Sequence, residues 1–262
     1  MGRVQDRVVV VTGGAGGIGR AACRAIADEG GKVVVADIDE AAARNVADEI
    51  DAAGGVATSV RVDVTDRAQV QAMVAAAVDT FGELNVIFNN AGMNRPRDFM
   101  EVDEANFDEI VRVNTWGVIV CTQEAARQMI AQGKGGNIIN TGSIAGRQGF
   151  WDFTPYCVAK FGVVAVTQAT ARGLIQHGIT VNAFAPGVVD TPMWIGLNED
   201  LRAIHDQAAD ADPMTDFAAA GTLQGRPAKP TELTPFLVYL ASPESDYMTG
   251  QMYMVDGGQV LV

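Results

Sequence analysis

Two hydrophobic rhythms alternate along the 262-residue chain. Val8-Val9-Val10-Val11 and Lys32-Val33-Val34-Val35-Ala36 are short, nearly continuous apolar runs, the pattern of strands buried on both faces. Further strands are predicted over 57–62, 84–89, 136–141, 180–185 and 251–255. Longer segments between them are predicted as helices near 17–29, 40–53, 66–81, 104–131, 155–177 and 231–241. Asp39 and Asp103 stand where N-caps belong, and Gly54 reads as a helix stop. This alternation predicts an α/β chain, a parallel sheet covered by helices on both sides, in one domain spanning 1–262. The rhythm breaks over 192–230, where Pro192, Pro213, Gly225 and Pro227 punctuate mixed polar and apolar stretches. An excursion from the same domain is expected there rather than a second domain.

Composition narrows the classes. At 48% hydrophobic and 19% charged residues the chain can bury a large core. No apolar run is long enough to cross a bilayer, and the start of the chain reads as neither a signal peptide nor, with Asp6 in place of Ser or Thr, a myristoylation site. Cys23, Cys121 and Cys157 are odd in number and far apart, which predicts free thiols in a reducing cytoplasm. With His177 and His205 the only histidines, no histidine-built zinc site is expected. A net charge of −13 argues against nucleic acid or an anionic membrane as partner.

Candidate chemistry begins in the first βαβ unit. Thr12-Gly13-Gly14-Ala15-Gly16-Gly17-Ile18-Gly19 follows a strand and opens a helix, where glycines let backbone N–H groups approach a pyrophosphate. Asp37, at the end of the second strand, would accept from a ribose 2′-hydroxyl and repel a 2′-phosphate. Gly16 and Ile38 are uncharged, so NAD is expected over NADP. Asp63-Val64 either edges an adenine or forms a turn, and Asn89-Asn90-Ala91-Gly92 admits a cofactor and ties strand ends together, two compatible roles. Asn114 lies in an apolar helical pattern, where its amide either satisfies backbone or holds a water or the Lys160 ammonium. Ser143 follows a strand as a turn former or as a ligand for a substrate oxygen; without a Gly-x-Ser-x-Gly elbow it does not read as a hydrolase nucleophile. Pro186-Gly187-Val188-Val189-Asp190-Thr191 offers backbone to a carboxamide and Thr191 to a pyrophosphate, with Met193 and Trp194 as apolar walls beyond.

Tyr156 and Lys160 stand four residues apart on a predicted helix with Thr154 as N-cap and Pro155 at its first position. A phenol titrates near 10. One ammonium at about 4 Å contributes roughly 4 kcal/mol at an effective dielectric of about 20, enough to bring the phenol to about 7. The spacing therefore predicts an acid–base tyrosine.

In order and spacing these motifs resemble the classical short-chain dehydrogenase/reductase family, over nearly the whole chain to Asp256-Gly257-Gly258. The resemblance implies a Rossmann-type, doubly wound domain with a seven-stranded parallel sheet. It implies Tyr156 as acid/base, Lys160 lowering its pKa and holding the nicotinamide ribose, Ser143 on the substrate oxygen, and Asn114 completing a proton relay through water. It also implies a homotetramer with the 104–131 and 155–177 helices and the C-terminal segment at interfaces. The 189–194 and 242–250 stretches look like the polyol and acetoin/2,3-butanediol branch. The expected partner is a small alcohol or ketone, with about 192–225 as the substrate lid. The alternatives are a 3-oxoacyl carrier-protein reductase, disfavoured by Asp37 and by the acidic charge, and a non-catalytic NAD(H) sensor, which would have little use for Tyr156, Lys160 and Ser143 together.

Overall fold

The computed structural model describes residues 2–261. Seven strands, β1 (Val8–Thr12), β2 (Lys32–Asp37), β3 (Val56–Arg61), β4 (Val86–Asn89), β5 (Gly136–Thr141), β6 (Ile179–Pro186) and β7 (Met252–Val255), form one sheet in the order β3-β2-β1-β4-β5-β6-β7. Every pair is parallel. The apolar run in β1 follows from its central place. Val9 and Val11 pack into a core with Cys23 and Ile26 of α1 (Gly17–Asp28), Val46 and Ile50 of α2 (Glu40–Ala52), and a later helix through Leu233 and Leu237. Val8 and Val10 face the opposite core, with Val70 and Met73 of α3 (Arg67–Phe81) and Val120 and Cys121 further along. With a helix layer on each side, neither face of the strand has a place for a polar side chain.

Asp39 and Asp103 cap their helices as expected, accepting from the backbone N–H groups of Ala42 and Asn106. Gly54, at φ +87°, follows the end of α2.

Three expectations need correction. The segment 104–131 is not one helix: α4 (Glu104–Val111) passes through a single π turn, Arg112–Trp116, into α5 (Gly117–Gln132). Thr154 is already the first residue of α6 (Thr154–Leu174), and its hydroxyl donates to Trp151 O rather than capping the helix. The excursion after β6 contains two helices, α7 (Met193–Ile204) and α8 (Pro213–Gly221). Pro213 breaks nothing there; it sits in the first turn of α8, whose cap is Asp212. The last helix, α9 (Pro230–Ala241), supplies Leu233 and Leu237 to the first core.

A buried polar ladder fixes α6 to the sheet. Asn89 Nδ2 donates to Thr122 Oγ1 and, at 2.8 Å, to Asn140 Oδ1, and Asn140 Nδ2 donates to Thr167 Oγ1 at 2.9 Å. Thr115 Oγ1, in the π turn, donates to Ala159 O on α6 at 3.0 Å. The bonds among Asn89, Thr122, Asn140 and Thr167 are buried, specific in geometry and costly to lose.

Candidate active site

β1 runs into a loop whose Gly13 (φ +63°) and Gly17 (φ +50°) take left-handed conformations that favour glycine. A Cβ on Gly13 would come within 2.9 Å of Ala91 Cα. Asn90 closes the loop from β4, donating from Nδ2 to Thr12 O and Gly13 O at 3.1 Å each. Gly16, the N-cap of α1, is different: a Cβ there would meet nothing within 4 Å. No side chain caps α1, and no acid stands in its first turn. Gly16, Gly17 and Ile18 line a cleft, so the first-turn N–H groups, beyond reach of any intrahelical carbonyl, are suited to an anion. Thr191 covers the same point, its Cγ2 lying 3.1 Å from where a Gly17 Cβ would be.

At the end of β2 the Asp37 carboxylate accepts from Ala15 N and Asp39 N, both at 3.1 Å, which fastens it to the glycine loop. Asp37, Ile38, Asp63 and Val64 edge one end of the cleft. Asp63 also serves the turn, accepting from Thr65 N at 2.9 Å. Pro186, Gly187 and Val189 border the cleft from the end of β6, and a Cβ on Gly187 would meet Asp256 Cβ at 3.0 Å.

Asn114 resolves in favour of the backbone. It is fully buried, its Nδ2 donates to Met93 O at 2.7 Å and Ile110 O at 2.9 Å, and its Oδ1 accepts from Met93 N at 3.3 Å. The side chain therefore pins the segment after β4 and, among the described residues, makes no hydrogen bond to Lys160. Ser143 takes the turn role, its Oγ accepting from Ala145 N at 3.1 Å, and it lines the same cleft as Tyr156.

The lowered tyrosine pKa does not appear. Burial pushes Tyr156 up to about 12, with the Ser143 hydrogen bond opposing it only in part. The Lys160 Nζ lies 5.4 Å from the centre of the Tyr156 ring and donates instead to Thr141 O at 2.8 Å. Burial also brings Lys160 down to about 8. Helical spacing placed the two groups on one face, but the depth that shields them weighs more than their mutual attraction.

Asn114, Ser143, Tyr156 and Lys160 line the same cleft as the glycine loop, about 520 Å³ beyond the carboxyl ends of the strands, where the strand order reverses between the paired β1 and β4. The sequence reading missed Met93, Asn94, Phe150, Phe153, Leu197 and Phe217 in its walls. Leu197 and Phe217 belong to the two unpredicted helices, Phe153 ends a short 3-10 turn, and the others lie in irregular segments with no periodic signal.

Residues 7–202 match the short chain dehydrogenase family. The chain belongs to that family. It is 38% identical over 256 residues to a sorbitol dehydrogenase of Cereibacter sphaeroides, covering 98% of each chain. It is 34% identical over 255 residues to an (S)-acetoin-forming diacetyl reductase of Staphylococcus epidermidis, covering 97% of this chain and 99% of the relative. A crystal structure of a short-chain type dehydrogenase/reductase from Mycobacterium marinum superposes with a TM-score of 0.88 at 33% identity, covering 99% of this chain and 97% of the other. The polyol and acetoin branch expected from the sequence is thus represented among the relatives.

Proposed function

We propose that the cleft binds NAD and that the protein interconverts a small secondary alcohol (a polyol, vicinal diol or other small alcohol) with its ketone. The observation that carries this is the convergence of Tyr156, Ser143 and Lys160 in one cleft with the uncapped helix α1. The fit to the cofactor rests on the open face at Gly16 and on Asp37, held by two backbone N–H groups where an adenosine ribose would come. A bound nicotinamide would supply a hydride acceptor for the carbinol carbon, and Tyr156 in its phenolate form would take the hydroxyl proton, so that alcohol and NAD would yield ketone, NADH and a proton. Tyr156 is the acid/base, Ser143 steadies the reacting oxygen and the Tyr156 hydroxyl, and Lys160 brings positive charge beside the ring. Asn114 holds the 91–94 wall, supporting the relay rather than donating through its own amide. Gly13, Gly17, Ile18 and Thr191 form the pyrophosphate seat, Ile38, Asp63 and Val64 the adenine end, Asn90 and Gly92 the floor, and Pro186, Gly187 and Val189 the carboxamide side.

Asp37 and the charge of −13 also speak against a carrier-protein reductase, whose partner would be acidic. Free, buried cysteines support a cytoplasmic setting. Trp116, Val158 and Phe161, each 40% exposed or more, support a homotetramer joined through the π turn and the α6 face. The test is NADH absorbance on mixing protein, NAD or NADP, and secondary alcohols. Turnover with NAD that falls by about 10²–10⁴-fold in Tyr156→Phe is expected. Tight NADH binding without turnover of any alcohol would make the protein a sensor instead.

A further inference from the structure

The end of the cleft that holds Tyr156 is walled by aromatic and aliphatic side chains. Phe150 sits at the centre of this wall, its ring 6.4 Å from Phe153 and 5.6 Å from Phe217, both edge to face. Trp194 and Leu197 of α7 complete it. Apart from Lys160, the charged residues lining the cleft are Asp37 and Asp63, both at the ends of the strands on the adenine side. One side-chain oxygen is conspicuous: Asn94 Oδ1 is buried without a hydrogen-bond partner and belongs to a residue lining the cleft. Thr141 Oγ1 is also without a partner, but Thr141 is the residue whose carbonyl already receives Lys160.

Resting on the dehydrogenase reading above, the geometry points to a substrate of a particular class within it: a secondary alcohol or ketone carrying an apolar group of ring size and one hydrogen-bond donor for Asn94. A polyol brings a hydroxyl on every carbon. Once the reacting oxygen meets Ser143 and Tyr156, the remaining hydroxyls would lie against Phe150, Phe153, Phe217, Trp194 and Leu197, which offer no acceptor and only the single indole N–H of Trp194 as donor. A cyclohexyl or phenyl group has the opposite balance, since its faces and edges suit an edge-to-face aromatic cage. Asn94 then distinguishes a ring that bears a distal hydroxyl or amide from a plain one, because an unpaired buried acceptor rewards the ligand that pairs it.

The experiment compares kcat/KM at saturating NAD for cyclohexanol, 1-phenylethanol and cyclohexane-1,4-diol with that for sorbitol, galactitol and 2,3-butanediol. The ring alcohols are expected to exceed the acyclic polyols by about 10²-fold or more. Equal values, or an advantage for the polyols, overturns the inference and leaves the dehydrogenase reading standing. No turnover of either set with NAD or NADP overturns the dehydrogenase reading itself. In Asn94→Leu the preference for the ring diol over cyclohexanol should shrink by about 10-fold or more. An unaltered ratio removes Asn94 from the proposed contact.

Discussion

Lys160 is where burial and charge oppose each other most directly. Its side chain is 3% exposed, its ammonium has Thr141 O as hydrogen-bond acceptor, and burial holds it at about 8 against an ordinary 10.5. The folded chain therefore binds fewer protons than the unfolded chain between these two values. Stability rises with pH wherever the unfolded state binds more protons, so this residue's penalty is fully present below pH 8 and disappears as pH climbs toward 10.5. The shift corresponds to roughly 3 kcal/mol. Lys160→Met, apolar and of similar length, should be more stable than the parent at pH 7 by an amount of that order, and the difference should close between pH 8 and 10 in urea titrations. Tyr156 does not interfere in that window, because its own shift, upward from 10 to about 12, acts only above it. Parallel stability curves for the two proteins would mean that the lysine titrates in the folded protein at its ordinary value. The destabilising charge is the expected signature of a residue kept for chemistry rather than for folding.

Among the elements, the π turn is the feature the sequence concealed. Val111, Val113 and Trp116 keep an apolar helical spacing, and one extra residue in a turn shifts its phase too little to show in so short a pattern. The caps and stops were legible because they are local: Asp39, Asp103 and Gly54 need only their own neighbours. So was the glycine loop, since left-handed backbone leaves a mark in composition. What could not be read was depth, which decides the titration of Tyr156, and the choice of Asn114 between backbone and Lys160. Both depend on contacts between segments distant in the chain. Asn114→Ala would leave Met93 O and Ile110 O without its amide at a fully buried position. Each orphaned carbonyl costs on the order of 1–3 kcal/mol. A loss of about 3 kcal/mol in chemical denaturation is expected, together with faster amide exchange over 91–94; a loss below about 1 kcal/mol would mean that water replaces the amide.

The whole molecule divides its apolar interior unequally. Two clusters sandwich the sheet, while a third joins Phe153 and Cys157 to Leu197 and Leu201 of α7 and includes none of the residues of the other two. Outside this small cluster the side-chain bonds of α7 run to the start of α8, from Asn198 to Asp212 and Met214 and from Arg202 to Ala211 O, while His205, just past its end, reaches Asp152 Oδ2 at 3.2 Å and meets Trp151 edge to face. A helix held by so few contacts can open without the sheet, as lids over active sites do. Leu201 gives the cleanest test, because it is 5% exposed in that cluster yet does not line the cleft. Truncating a buried leucine costs about 2–5 kcal/mol wherever the cost is felt. If α7 and α8 are a lid, Leu201→Ser should place that cost on local opening: amide exchange over 193–221 accelerates, kcat/KM for the alcohol falls about 10-fold or more, and the midpoint of global unfolding hardly moves. If they are part of the core, the midpoint falls by the full amount and β1, β4 and β5 exchange faster as well. The two outcomes are separable in one hydrogen-exchange experiment, since β1, β4 and β5 lie at the centre of the sheet and open only with the whole fold.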